Sequence, residues 1–126
     1  MSAKILVVDD EEDMVQLVSY NLRVNGYEVM SANTGLDALA KARKSLPNLI
    51  ILDLMLEGMD GYSICEILRS QPATADLPII MLTALSGQIA RLNGLAVGAN
   101  EFLTKPFSPQ QLVLSVKRVL EKQAKS

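Results

Sequence analysis

No histidine occurs anywhere in the 126 residues, and cysteine occurs once, at Cys65. The first absence removes a histidine metal ligand and a histidine general base, and the second removes an intrachain disulfide. Any chemistry must come from carboxylates, hydroxyls, lysine and a bound hard cation. A basic stripe is also lacking: 12 Lys and Arg against 14 Asp and Glu leave a formal charge of -2, with the cations scattered. Direct nucleic-acid binding is therefore not expected. No apolar run approaches membrane-spanning length, and the one near Met1 is too short for a signal sequence. The default expectation is a cytoplasmic protein without membrane insertion.

What is present is the mix of a folded domain, 49% hydrophobic and 21% charged. Residues 1–126 read as a single domain, long enough to bury a core without staples. Lys4 to Val8 is an apolar, β-branched run that stops at acids, as a buried strand before a helix would. Asp10 to Asp13 put negative charge at the positive end of the helix dipole. Met14, Leu17, Val18 and Leu22 then recur at helical spacing, and Gly26 is placed to end the helix just beyond Asn25.

Glu28 to Ala32 is a second strand, and Thr34-Gly35 opens a helix with Ala38, Leu39, Ala42 and Leu46 inward, stopped by Pro47. Leu49 to Leu52 is apolar throughout, as for a central strand, and ends on Asp53. Glu57 to Gly61 is loop chemistry before a helical face of Ile64, Cys65 and Leu68. Leu77 to Leu82 is the fourth strand, with Pro78 at its start. Gln88 to Val97 is a weaker helix because of Gly87 and Gly94. Glu101 to Thr104 is the shortest and most polar strand, which suits an edge. Ser108-Pro109 starts a last amphipathic helix bearing Leu112, Val113, Val116, Val119 and Leu120, with fraying expected after Glu121.

Five strands alternating with five helices indicate an α/β fold with a doubly wound, five-stranded parallel sheet. Ligands of such sheets sit outside the carboxyl ends of the strands. Those ends carry Asp9-Asp10, Asp53, Thr83 and Lys105. Three crowded carboxylates are costly unless a cation lies among them, and oxygen-only ligands suit Mg2+. Asp53 can act as a nucleophile toward phosphorus, forming an aspartyl phosphate. Lys105 supplies an ammonium for the phosphoryl oxygens, and Thr83 a hydroxyl that donates to one of them. Lys105-Pro106-Phe107 forces a sharp turn, compatible with a cis bond before Pro106.

The segments Ile5 to Glu11, Asp53 to Leu56 with Met59 to Gly61, Met81 to Ala84 and Gly98 to Phe107 together resemble the receiver domain of two-component response regulators. The resemblance covers about residues 4–122. It implies a flavodoxin-like fold with strand order 2-1-3-4-5. It further implies that Asp53 accepts a phosphoryl group from a sensor histidine kinase. Mg2+ would be held by Asp10, Asp53 and the backbone carbonyl of Met55, with Asp9 acting through water. Lys105 would pair with the phosphoryl group, and Thr83 and Phe102 would form a switch. The fourth helix, last strand and last helix would then change as a surface for a downstream protein, an output domain or a homodimer. Such a chain is not an enzyme beyond its own phosphorylation and dephosphorylation.

Some positions depart from the family pattern. Glu57 replaces the usual Pro, which predicts a less rigid loop, and Asn100-Glu101 replaces a commoner acidic pair. Phe102 stands where Tyr is common. Apolar Met55 and Leu85 offer nothing to position a hydrolytic water, so slow autodephosphorylation is expected. The competing readings are weaker. A Mg2+-dependent aspartyl-phosphate phosphotransferase or hydrolase generally has an acid two residues after the nucleophile, where this chain has Met55. A flavodoxin-like cofactor binder needs a phosphate loop where this chain has Asp9 to Asp13. A docking receiver that is never phosphorylated has no need of the full acid, Thr83 and Lys105 set.

Overall fold

Alternation along the strands decides the layering. In β1 (Lys4–Val8), Ile5 and Val7 point to one side of the sheet while Leu6 and Val8 point to the other. The same split runs through β3 (Leu49–Asp53) and β4 (Ile79–Thr83), both buried along their whole length. The structure is a computed structural model that describes residues 2–84 and 88–125, with backbone alone for 88–91, 124 and 125.

The remaining elements are α1 (Glu12–Val24), β2 (Glu28–Ala32), α2 (Gly35–Ser45), α3 (Gly61–Ser70), α4 (Gln88–Ala96), β5 (Glu101–Thr104) and α5 (Pro109–Lys125). All strands are parallel in the order β2-β1-β3-β4-β5. Ile5, Val7, Leu49, Ile51, Ile80 and Leu82 pack with α1 and α5 through Val18, Leu22, Leu112, Val116 and Val119. Leu6, Val8, Ile50, Leu52, Ile79 and Met81 pack with Ala38, Ala42, Ile64, Cys65, Leu68 and Phe102 on the opposite face. The doubly wound architecture is thus as the sequence predicts, with the polar β5 at an edge.

Capping residues set the helix starts. Thr34 accepts the Asp37 N–H at 3.1 Å, and Asp60 accepts the Ser63 N–H at 2.9 Å. At α5, Ser108 Oγ accepts the Gln111 N–H at 3.1 Å while Gln111 Oε1 accepts the Ser108 N–H at 2.8 Å. This reciprocal pair is a capping box. Gly26, at φ 90°, follows Asn25 at the end of α1.

Three expectations need correction. Leu17 is 52% exposed, and the inward position on α1 belongs to Val15. Leu46 is not on the inner face of α2: it caps the helix at φ 47° and is exposed. Pro47 bars the next turn from continuing, which leaves Leu46 outside the last turn. The helix α5 runs on to Lys125, past the predicted fraying point.

Candidate functional site

The ends of β1, β3, β4 and β5 lie side by side, so Asp9, Asp53, Thr83 and Lys105 leave the sheet along one edge. Asp9 directly follows β1, and its N–H donates to Ala32 O at 3.2 Å, which extends the ladder to β2 by one rung. Its buried carboxylate accepts the Glu11 N–H at 2.9 Å. Asp53 ends β3, is 3% exposed, and accepts the Met55 N–H at 3.0 Å. Both are turns in which an aspartate bonds the backbone two residues on, so the local sequence itself aims these acids.

Asp10 is held differently. It is exposed, and its Oδ2 accepts the Glu57 N–H at 3.0 Å from the loop after β3. That tie crosses 47 positions of sequence. A proline at position 57 could not form it, so Glu57 gives the loop an anchor that offsets the looseness expected from the missing proline. Carboxylate oxygens of Asp9, Asp10 and Asp53, one from each, lie within 4.8 Å of one another.

Lys105 closes the cluster. Its Nζ lies 3.3 Å from Asp9 Oδ2 and 3.3 Å from Asp53 Oδ2. The lysine follows β5, its N–H donates to Thr83 O at 2.7 Å, and the Lys105–Pro106 bond is cis. Burial works against its ammonium, but Asp53 and Asp9 outweigh burial and hold Lys105 above its ordinary value. For Asp53 burial dominates and raises the carboxyl, against the lowering pull of the Met55 N–H; Asp9 pushes it up further and Lys105 draws it down.

The three carboxyl groups outnumber the one ammonium beside them. The donors are all oxygens, which fits a hard divalent cation and not a soft one. Among the described residues, Asp9, Asp10 and Asp53 are therefore the group able to hold a metal. Met55 places its backbone at the same spot, with its side chain 63% exposed.

Thr83 is fully buried at the end of β4, beside Asp53, whose register partner is Leu82. Phe102 on β5 pairs with Met81 and is buried against the α3 and α4 face. Leu85 lies outside the described residues. Glu101 pairs with Arg118 of α5. Asn100 accepts the Ile79 N–H at 2.8 Å and an Arg69 N–H at 3.1 Å, so it serves the fold at the far end of β4.

Sequence reasoning missed the backbone amides of Glu11, Met55 and Glu57. The first two carry a signal, since an aspartate ending a strand commonly bonds the amide two residues later. The Glu57 contact carries none, because nothing local links positions 10 and 57.

Comparison with known proteins bears on this geometry. Residues 5–117 match the family model described as the response regulator receiver domain. The chain is 46% identical over 122 residues to the alkaline phosphatase synthesis transcriptional regulatory protein PhoP of Bacillus subtilis, covering 97% of this chain and 50% of that protein. It is 45% identical over 117 residues to the response regulator PleD of Caulobacter vibrioides, covering 93% of this chain and 26% of that one. The chemotaxis response regulator CheY4 of Vibrio cholerae superposes with a TM-score of 0.90 at 39% identity, over 94% of this chain and 99% of that one. The chain spans half the length, or less, of these two curated relatives. Its sheet order, its acid cluster and these likenesses agree: the chain belongs to the receiver domains of two-component response regulators.

Proposed function

We propose that this receiver takes a phosphoryl group onto Asp53 from the phosphohistidine of a sensor histidine kinase. The observation that carries the reading is Lys105 Nζ lying 3.3 Å from both Asp9 and Asp53, beside a third acid. One oxygen of the Asp53 carboxylate attacks phosphorus. As the new P–O bond forms, the P–N bond breaks and its electron pair returns to the imidazole. Lys105 lies where it can neutralise the phosphoryl oxygens, and the buried Asp53 is a more basic nucleophile than an exposed carboxylate.

Asp10, Asp53 and the Met55 carbonyl would hold Mg2+, with Asp9 acting through water. When bound, the cation supplies charge neutralisation for the transferring group. The chain acts on no substrate other than its own carboxyl. Met55 is apolar and exposed, so hydrolysis of the aspartyl phosphate is slow in this reading.

Added charge at Asp53 draws Thr83 toward it and favours the packing in which the Phe102 ring lies inward, the position it holds here. A swing from nearly all inactive to nearly all active needs about 5.5 kcal/mol of differential stabilisation. The α4, β5 and α5 face, which carries the Glu101–Arg118 pair, then meets a downstream protein, an attached output domain or a second copy of the chain.

Incubation with acetyl phosphate and Mg2+ tests the reading by intact mass. One phosphoryl mass should add to the wild type and none to Asp53→Asn. An adduct of equal yield on the Asn variant would place the modification elsewhere.

A further inference from the structure

Each of the three acids is anchored by one backbone amide, but the anchors are not equivalent. Asp9 and Asp53 are buried, bond amides two residues away and share Lys105. Asp10 is exposed, and its partner is the Glu57 amide across the loop after β3. Carboxylates that ligate metals are commonly oriented by such a second hydrogen bond. We infer that the Glu57 backbone N–H is a positioning group that fixes Asp10 for the cation and ties cation binding to the placement of the loop after β3.

The bond uses Asp10 Oδ2, and because one carboxylate offers roughly four lone-pair sites, accepting it leaves the group able to ligate a cation. Neutralising the site by a cation and holding residues 55–60 in place are then parts of one event. The side chain of Glu57 is not required for it. Only the amide is, so proline is the substitution that isolates the effect.

The inference rests on the cation site proposed above, and its test uses no phosphorylation. Mg2+ is titrated into the full chain by calorimetry for wild type, Glu57→Ala and Glu57→Pro. Alanine keeps the amide and loses the carboxylate, whereas proline loses both. The proline variant should bind Mg2+ at least about tenfold more weakly than the alanine variant. Equal affinities for the two would overturn the inference, as would a wild type that binds no Mg2+. Amide hydrogen exchange in the metal-free chain gives a second reading that does not depend on how the proline variant folds. The Glu57 amide should be protected in the wild type and should lose protection in Asp10→Ala. Unchanged protection there also overturns the inference. Mg2+ binding with no mass gain at Asp53 would remove the proposed function and leave this inference standing.

Discussion

Gly94 of α4 lies against the ring of Phe102: a Cβ placed on the glycine would come within 3.0 Å of the ring Cδ2 and 3.2 Å of Met81 Sδ. The helix that reads as weak in sequence is weak at the point where it must approach the Phe102 ring.

Gly94→Val should therefore cost stability by overpacking, about 1–3 kcal/mol, despite relieving a glycine in a helix. Urea unfolding gives the value. Combining it with Phe102→Ala in a double-mutant cycle should recover a large part of the loss, and strict additivity would mean that the two do not touch.

Asp53 sets a pH dependence whose sign can be worked out. Burial holds its folded-state carboxyl above the usual value, so ionisation destabilises the fold. That penalty is absent in acid below the ordinary carboxylate range, develops as pH rises through it, and is complete above the raised folded value. Asp53→Asn should exceed the wild type in stability at neutral pH, with the gap closing toward acid. Denaturation midpoints across pH measure this, and an Asn variant less stable than wild type at neutral pH would contradict it.

Arg69 binds more partners than any other side chain whose bonds are described. Its guanidinium donates to Leu77 O at 2.7 Å, to Gly98 O at 2.7 and 3.1 Å, to Asn100 Oδ1 at 3.1 Å and to Thr74 O at 3.4 Å. It staples the end of α3 to the loop entering β5. Arg69→Lys should cost about 2–4 kcal/mol, because one ammonium cannot span these acceptors and leaves buried carbonyls unpaired. Thermal unfolding checks it; a cost within experimental error would show that the carbonyls find other partners.

Ser115 on α5 is 1% exposed, and its hydroxyl has no hydrogen-bond partner among the described residues. Ser115→Ala should raise stability by about 1 kcal/mol, from the lost desolvation penalty and the better helix former. A destabilised alanine variant in urea would mean that the hydroxyl is satisfied in solution.

The sheet was legible because its signals are local. A β-branched run that stops at an acid, a Ser-Pro helix start and Gly26 beyond Asn25 each name a boundary without reference to distant residues. The main site residues were legible for a topological reason: parallel strands deliver their ends to one edge, so Asp9, Asp53 and Lys105 could be placed together unseen. Leu17 and Leu46 were misplaced because hydrophobic spacing alone cannot separate Val15 from its exposed neighbours, or a last helical turn from a cap. The Arg69 staple and the Glu57 amide were not legible at all. An arginine at a helix end reads as a solvated charge, and a backbone donor has no letter in the sequence.

The strand β3 is hydrogen-bonded on both flanks, to β1 and to β4, whereas β5 is held on one side only. Asp53 thus stands on the keystone of the sheet, and Phe102 on its outermost course. Thermal fluctuations that peel the periphery leave the keystone seated, so Asp53 keeps its aim while the edge that carries Phe102 is free to yield. In exchange experiments the amides around Ile51 should be the last to open.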